Sequence, residues 1–332
     1  MKETILIIGG AGYIGSHQVE RMNQDGYRVV VLDNLSTGFR QALNSNIDFV
    51  HGDVRDYEIL KKIFTKYKID AVIHFAALSR VGESVFKPLE YYDNNVTGMQ
   101  ILLQAMTDFN IKNIIFSSTA AVYGEVGKNK ITEETPKNPI SPYGETKLAM
   151  EKMVKWVGAA NNIKYVSLRY FNVCGASESG NIGECHDPES HLIPIVLQAA
   201  LGKKAQVDIY GDDYDTSDGT CVRDYIHVED LVDGHSKALE YLKDGGCSDI
   251  FNLGYEEGFS VKEIIDTAKE ITGCQIKTNV VARRMGDPDI LVASSKKARE
   301  VLKWDPKYND IKYIIKSAYK FHQKYPNGYK NE

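Results

Sequence analysis

The stretch Ile5-Leu-Ile-Ile-Gly-Gly-Ala-Gly-Tyr-Ile-Gly15 decides the fold of this 332-residue chain. An apolar run ends in Gly9, Gly12 and Gly15, and a helical pattern begins near Tyr13. Glycines lack a Cβ and let a diphosphate approach the backbone, and the first turn of a helix offers it unpaired N–H groups and a positive dipole end. The stretch therefore predicts a nucleotide-binding turn between a strand and a helix.

A second strand and an acidic residue follow the glycines. The run from Tyr27 to Leu32 is β-like, and Asp33 comes directly after it. A carboxylate at this distance can accept hydrogen bonds from an adenosine ribose, although it could instead cap a helix. Because strand, glycines, helix, strand and acid occur in the required order, we favour a dinucleotide site. A carboxylate repels a 2′-phosphate, so Asp33 favours NAD over NADP.

The composition is that of an ordinary globular protein, with 43% hydrophobic and 26% charged residues and a formal net charge of −5. This balance disfavours disorder and a nucleic-acid partner. The chain from Met1 leads straight into a strand, and no run approaches the length of a membrane span. Five cysteines without a C-x-x-C pair indicate reduced thiols. We therefore expect no signal peptide, no membrane partner and a cytoplasmic location.

Two groups of residues suggest a metal site but fail on spacing. Cys185, His186 and His191 match no zinc pattern. The acidic loop at residues 211–219 places an aspartate where a calcium loop needs glycine for its tight turn. The sequence therefore predicts no metal site.

The first half of the chain alternates β-like runs with helical patterns. This predicts an α/β fold with a doubly wound, Rossmann-type parallel sheet. From about residue 172 the pattern loosens into glycine-rich and acidic loops, which indicates a smaller C-terminal substrate-binding portion. We expect an NAD-binding domain at 1–172 and a substrate-binding portion at 173–332, with some chain crossing back to the sheet. The candidate strands are 5–8, 29–32, 48–51, 71–75, 114–117 and 165–169, and later helices lie near 192–201, 228–242, 261–272 and 311–322.

Tyr143 and Lys147 lie one turn apart on one face of a helical stretch that follows Pro142. A nearby ammonium group and a cationic nicotinamide ring would both favour the phenolate, and so bring the pKa of a free tyrosine, about 10, toward neutral pH. A chance surface pair is the alternative, but the pair follows a strand that ends at the ligand-binding edge of the sheet. Thr119, beyond that strand, can offer a hydroxyl to the same substrate oxygen. We therefore predict that Tyr143 is a general base.

With these residues in place, the sequence resembles the extended short-chain dehydrogenase/reductase superfamily, and within it the UDP-glucose 4-epimerase family. The glycine turn and the Tyr143–Lys147 pair are typical of the superfamily, and the later motifs are typical of the epimerases. Those motifs span almost the whole chain, at residues 32–35, 74–77, 81–84, 88–96, 141–144, 169–172, 222–228 and 283–287.

The resemblance implies a tightly held NAD, a UDP-sugar substrate and homodimers built from helices around residues 90–109 and 143–160. It implies oxidation at sugar C4, rotation of the 4-keto sugar and return of the hydride, which interconverts UDP-glucose and UDP-galactose. Catalysis is assigned to Thr119, Tyr143 and Lys147. Cofactor contacts are assigned to Gly9, Gly12, Tyr13, Ile14, Gly15, Asp33, Asn34, Asp53, Val54, Phe75, Ala76, Ala77, Asn94, Ser117, Tyr143, Lys147 and Tyr170. Substrate contacts are assigned to Thr119, Tyr143, Asn172, His191, Leu192, Tyr210, Arg223, Arg284, Asp287 and Leu291.

Four positions bear on how far the family pattern applies. Thr119 stands where many members carry serine, Ser79 where some carry a lysine near the cofactor phosphates, and His191 where relatives have an asparagine. Leu291 takes the place of a residue that lines the sugar pocket, where a bulky tyrosine restricts the substrates and small residues admit N-acetylated sugars. Leucine at this position predicts UDP-glucose and UDP-galactose as the main substrates, although simple core packing is its alternative role.

Two other functions were weighed against epimerisation. A nucleotide-sugar 4,6-dehydratase places Asp-Glu directly after the active-site threonine, whereas this chain has Ala120 and Ala121. A regulator that senses NAD without turnover would not need Thr119, Tyr143 and Lys147 together. Both alternatives are therefore less favoured than an epimerase.

Overall fold

The computed structural model describes residues 3–127, 130–284 and 287–329. Met1, and Met285 and Gly286 within the motif at 283–287, lie outside the described residues. The strands are β1 (Thr4–Ile8), β2 (Arg28–Asp33), β3 (Asp48–His51), β4 (Ala71–His74), β5 (Asn113–Ser117), β6 (Lys164–Tyr170), β7 (Asn172–Cys174), β8 (Val207–Tyr210), β9 (Val222–Arg223), β10 (Tyr225–His227), β11 (Asp249–Leu253), β12 (Phe259–Ser260), β13 (Thr278–Val281) and β14 (Ile290–Leu291).

A parallel sheet of seven strands forms the centre of the molecule, in the order β11-β6-β5-β4-β1-β2-β3. Each neighbouring pair in it is parallel. The strand order reverses between β1 and β4, which is the switch point of a doubly wound sheet, where ligands bind beyond the carboxyl ends of the strands. The predicted fold class is therefore confirmed.

Helices cover both faces of this sheet, which is why its strands are continuous apolar runs rather than alternating ones. One hydrophobic core lies on each face. The α-helices are α1 (Tyr13–Gln24), α2 (Tyr57–Lys66), α3 (Val81–Phe86), α4 (Pro88–Tyr91), α5 (Gly98–Asp108), α6 (Pro142–Asn161), α7 (Leu192–Ala200), α8 (Val228–Lys243), α9 (Val261–Thr272) and α10 (Ile311–Lys324). Short 3₁₀ turns lie at Arg40–Ala42 and Ala120–Val122, and π-turns at Tyr92–Thr97 and Ala298–Leu302.

Helix α6 carries the predicted catalytic pair, and its start is fixed by local sequence. The Ser141 hydroxyl accepts a hydrogen bond from the Gly144 amide at 3.2 Å, which satisfies an N–H that the first turn leaves unpaired. Pro142 takes the first helical position, where a missing N–H costs nothing. Tyr143 is therefore held in the first turn, directly beyond the cap.

The chain returns to the central sheet after residue 173. Strand β11 pairs with β6 at the edge of the sheet, with Phe251 opposite Leu168. Helix α8 packs against β5 and β6 on the face that also holds α1. The remaining C-terminal elements form small sheets beside this core. In the described part of the chain, every helix is too short or too polar to cross a membrane.

Candidate active site

A cavity of about 300 Å³ opens beyond the carboxyl ends of the central strands. Among the predicted cofactor residues, those lining it are Gly9, Gly12, Tyr13, Ile14, Gly15, Asp33, Asn34, Asp53, Val54, Phe75, Ala76, Ala77, Asn94, Tyr143, Lys147 and Tyr170. The predicted substrate residues Thr119, Asn172 and His191 line it as well. The structure thus brings most predicted cofactor residues and three predicted substrate residues to one cavity.

The three glycines of the first turn have different physical roles. Gly9 has a φ of +78°, and a Cβ there would lie 2.6 Å from the Ala76 backbone nitrogen. A Cβ on Gly15 would clash with the Gly9 carbonyl oxygen. A Cβ on Gly12 would meet, among the described atoms, only that same oxygen at 3.4 Å. The fold therefore requires Gly9 and Gly15, whereas Gly12 leaves open space in the cavity wall that a bound group can approach.

Asp33 ends strand β2 and ties it to the glycine turn. One carboxylate oxygen accepts the Ala11 amide at 2.9 Å and the other accepts the Leu35 amide at 2.8 Å. Burial raises the pKa of Asp33, and these two hydrogen bonds offset part of that rise. Asp33 does not cap a helix, so the alternative considered for it is excluded. Each oxygen retains a lone pair that can accept from a ribose hydroxyl.

Asp53 lies beside Asp33 in the cavity wall and is held by polar partners. Arg55 donates to both of its carboxylate oxygens, at 2.9 Å and 2.8 Å, and Asn34 donates at 2.9 Å. The Arg55 hydrogen bonds hold the pKa of Asp53 well below its ordinary range. Asp53 is therefore an anion that accepts hydrogen bonds at neutral pH.

Tyr143 and Lys147 are both buried, and this changes their acid–base behaviour. Burial raises the pKa of Tyr143 to about 12, and its hydrogen bond with Thr119 opposes the rise only in part. Burial also lowers the pKa of Lys147 to about 7, against the attraction of Glu151. Burial therefore opposes the shift of the Tyr143 pKa toward neutral pH that was predicted for Lys147 and a cationic nicotinamide acting together. The spacing of the two residues indicates the charge of Lys147, but it does not reveal the desolvation that shifts the pKa values of both groups.

Ser117, a predicted cofactor contact, is the last residue of strand β5. It does not line the cavity but lies just behind the wall, 1% exposed, and its carbonyl oxygen accepts a hydrogen bond from Lys147 Nζ at 2.8 Å. Its hydroxyl lies 2.8 Å from Nε2 of His235 on α8. Ser117 therefore positions Lys147, and its assignment as a cofactor contact stays a prediction.

The other predicted substrate residues lie outside the cavity wall, on strands β8, β9 and β14, between β13 and β14, and at the start of α7. The Arg284 guanidinium lies over the Tyr210 ring, 3.9 Å from its centre, and Arg223 forms an ion pair with Asp287. Leu291 pairs with Arg223 in the β14–β9 register. Leu192, the first residue of α7, packs against the main core. Asn172 lies between these residues and the cavity. It lines the cavity, and its backbone amide donates to the carbonyl oxygen of Asp224, the residue after Arg223, at 3.1 Å.

Comparison with known proteins places this geometry in a family. The model of the NAD dependent epimerase/dehydratase family matches residues 5–254. The UDP-glucose 4-epimerase of Lactobacillus helveticus is 54% identical over 328 residues, which cover 99% of this chain and 99% of that protein. A crystal structure of a UDP-glucose 4-epimerase shares 55% identity and a TM-score of 0.97, covering 99% of this chain and 100% of that one.

The chain belongs to the UDP-glucose 4-epimerase family. The resemblance found in the sequence is thereby confirmed. A third UDP-glucose 4-epimerase, from Bifidobacterium longum, was solved in complex with NAD⁺ and UDP. It is 40% identical with a TM-score of 0.93, and the match covers 98% of this chain and 100% of that one.

Three of the departures from the family pattern, at Ser79, Thr119 and His191, lie in the cavity wall. Ser79 and His191 both line it, so each stands where a ligand can reach it. Thr119, the third departure, hydrogen-bonds with Tyr143 and accepts the Ala121 amide at 3.1 Å. A hydroxyl is therefore present at position 119 and is oriented by the turn that follows.

Sequence reasoning missed two carboxylates, Glu184 and Glu189. Their side chains are 5% and 4% exposed and surround the two histidines already noted, with Glu184 Oε1 at 2.8 Å from His191 Nδ1. Burial alone would lower the pKa of His191, but Glu184 and Glu189 outweigh it and raise that pKa to about 10. The sequence analysis grouped Cys185 with the histidines, whereas the structure gathers the two glutamates around them. The Glu-x-His pattern, which occurs at residues 184–186 and again at 189–191, is the sequence feature that could have indicated this grouping.

Proposed function

We propose that this protein interconverts UDP-glucose and UDP-galactose by transient oxidation of the sugar at C4. The observation that carries the proposal is that Tyr143 and Thr119 line the same cavity as the glycine turn and Asp33. Two hydroxyls in one cavity wall can bind one substrate oxygen between them. The family membership supports the same reaction.

The cavity fits NAD at the end built by the glycine turn. Gly12 leaves the space that a Cβ would fill, and the N-terminus of α1 points unpaired amides to the same place. Asp33 and Asp53 offer carboxylate oxygens where a ribose would present hydroxyls. When bound, NAD supplies the hydride acceptor for C4 and the hydride donor for its return.

The residues of the chain supply position and proton transfer. Tyr143 accepts the proton of the C4 hydroxyl and returns it to the reduced sugar, while Thr119 holds the same oxygen. With the pKa of Tyr143 raised to about 12 by burial, the phenol needs a cation beside it to act as a base. Lys147 lines the same cavity and provides one when a bound ligand accepts hydrogen bonds from its ammonium group, and the Ser117 carbonyl oxygen accepts a hydrogen bond from its Nζ.

We further propose that the UDP group lies on the adjoining strands. Arg223 and Arg284 suit a diphosphate, and the Tyr210 ring, 39% exposed, offers a face for the uracil. Asn172 joins this surface to the cavity, and His191 faces the sugar from the other wall. Asp287, Leu192 and Leu291 complete the predicted contacts.

A homodimer is proposed from the apolar surface beside the catalytic helix. Phe86, Leu89 and Trp156 are 87%, 82% and 73% exposed, on α3, α4 and α6. Such large exposed side chains on adjoining helices favour burial against a second copy of the same chain. Leu89→Glu and Trp156→Glu should convert a dimer to a monomer in light scattering, while Val280→Glu, on an exposed residue elsewhere, should not. A monomeric unmutated protein would reject this part of the proposal.

A cytoplasmic location is also proposed. All five cysteines are free thiols, which suits a reducing compartment.

The reaction is tested by incubating the purified protein with UDP-galactose and no added NAD. We expect UDP-glucose to form, because the cofactor stays bound between turnovers. A dehydratase would instead release a 4-keto-6-deoxy sugar nucleotide, and a sensor would give no product. Either result would overturn the proposed function.

A further inference from the structure

Four side chains of one loop meet at a wall shared by two cavities. They are Glu184, His186, Glu189 and His191, which we call the Glu-His cluster. Glu184 and His186 line both the cavity described above and a second cavity of about 280 Å³. His191 also caps the start of α7. The cluster therefore lies where this loop meets helix α7, in the wall of the active-site cavity.

The donor atoms of the Glu-His cluster are arranged like the ligands of one small ion. One atom from each residue lies within 4.8 Å of all the others. His191 Nδ1 is 2.8 Å and 3.2 Å from the two glutamates, and His186 Nδ1 is 3.2 Å and 3.8 Å from them. Tetrahedral zinc with ligands at about 2.0–2.2 Å separates its donor atoms by about 3.3–3.6 Å. The observed separations bracket that value.

The carboxylates of the cluster are buried without a lysine or arginine partner. The Glu184 and Glu189 side chains are 5% and 4% exposed, and within the described residues their ion-pair partners are the two histidines. Two carboxylates in one buried site repel each other unless a cation lies between them. The Nδ1 atom of His186 is buried and has no hydrogen-bond partner in the described part of the chain, although it faces Glu184. That atom is free to bind an ion.

We propose that the Glu-His cluster binds one divalent transition-metal ion of the zinc type. Two imidazole nitrogens and two carboxylate oxygens suit Zn²⁺, whereas Mg²⁺ and Ca²⁺ prefer oxygen ligands throughout. The ion fixes residues 184–191 against α7 and so holds one wall of the active-site cavity. His191 coordinates through Nδ1, which leaves its Nε2 available to the cavity. This inference does not depend on the proposed reaction.

The test uses protein without an affinity tag, dialysed against a chelator, and ZnCl₂ alone as the probe. We expect about one zinc per chain by elemental analysis after desalting, and a higher melting temperature with zinc than without it. His186→Ala and Glu189→Gln should each abolish retention of zinc and the rise in melting temperature. Circular dichroism of each variant shows whether it has folded, which separates loss of the site from loss of the structure.

Cys185→Ser is the matched control, because its thiol lies next to the cluster in the chain but outside the donor set. It should bind zinc as the unmutated protein does. Co²⁺ in the same site should give visible ligand-field bands without the near-ultraviolet charge-transfer band of a thiolate. If the folded, unmutated protein does not retain zinc, the histidines and glutamates are held together by hydrogen bonds rather than by a metal ion. That result would overturn the proposal. Retention in His186→Ala and Glu189→Gln, or its loss in Cys185→Ser, would overturn it equally.

Discussion

The hydroxyl of Ser117 lies 2.8 Å from Nε2 of His235, and Nδ1 of the same ring lies 2.9 Å from the Leu231 carbonyl oxygen. A carbonyl can only accept, so Nδ1 carries the hydrogen and Nε2 accepts from Ser117. This neutral tautomer joins the end of strand β5 to helix α8. Because the Ser117 carbonyl also holds Lys147, the geometry of the active site depends on an uncharged His235.

We predict that His235 makes the protein less stable in acid. Burial lowers its pKa to about 4, so below the ordinary value of 6.5 the unfolded chain binds a proton that the folded protein excludes. The stability that His235 contributes is therefore present above pH 6.5 and is lost as the pH falls toward 4. Replacement by Gln costs stability at pH 7, but that cost should shrink by about 1–2 kcal/mol at pH 5 in urea titrations.

His51→Gln serves as the control for this experiment, since His51 is exposed at the end of β3. Its free energy of unfolding should follow that of the unmutated protein at both pH values. An equal cost of His235→Gln at pH 7 and pH 5 would contradict the prediction.

Tyr143→Phe should lower turnover by at least about 100-fold. The variant keeps the buried ring and loses the hydroxyl that exchanges a proton with the substrate. Turnover with UDP-galactose and the melting temperature are measured together, and we expect the melting temperature to stay close to normal. Tyr57→Phe removes a hydroxyl that bonds Asp108 at the surface and should leave turnover unchanged. Near-normal turnover in Tyr143→Phe would remove Tyr143 as the acid–base group.

Asp33 should make the chain bind NAD at least about 100-fold more tightly than NADP, because a 2′-phosphate would meet a buried carboxylate. Calorimetry on protein stripped of its cofactor measures both affinities. In Asp33→Ser, which removes the negative charge, the ratio should fall. Comparable affinities in the unmutated protein would show that Asp33 does not face the ribose.

Leu291 should restrict the sugars that are accepted. Its side chain packs with Phe171, which lines the cavity, against a small cluster that includes Tyr123 and Leu148. Extra volume in a packed pocket costs about 1–3 kcal/mol, so UDP-N-acetyl sugars should be poor substrates of the unmutated protein. Leu291→Ser should improve kcat/KM for them relative to UDP-galactose.

Ile290→Ser is the matched change on the same strand, and side chains of successive residues point to opposite faces. It should weaken packing without altering the preference between sugars. If the unmutated protein uses both sugar pairs equally, or if Leu291→Ser brings no gain, Leu291 does not select the sugar.

The sequence predicted the elements whose pattern is local. Six central strands were placed within a residue of their ends, because strands buried on both faces are continuous apolar runs. Strand β11 was missed because Asp249 and Asn252 interrupt its apolar pattern. The structure shows why Asn252 is tolerated there: its side chain bonds the Tyr123 hydroxyl at 2.6 Å and the Ile131 carbonyl oxygen at 3.1 Å.

The candidate site likewise contains residues that local sequence predicts and residues that it does not. The glycines, Asp33 and Tyr143 belong to motifs with fixed spacing, so their placement in one cavity could be predicted. The partnership of Glu184 and Glu189 with the histidines depends on how the loop folds back on itself. The pKa values depend on burial, which spacing does not reveal. These contacts and pKa values therefore depend on tertiary packing, which the sequence pattern does not determine.

The position of β11 at the edge of the sheet has a consequence for synthesis of the chain. Until residue 253 has left the ribosome, strand β6 has an open edge, and the face that α8 covers stays exposed to water. A nascent chain ending near residue 172 thus has the glycine turn and the Tyr143 helix but lacks the partners that complete their sheet. The nucleotide site should acquire its final form late in translation, after roughly three quarters of the chain has emerged.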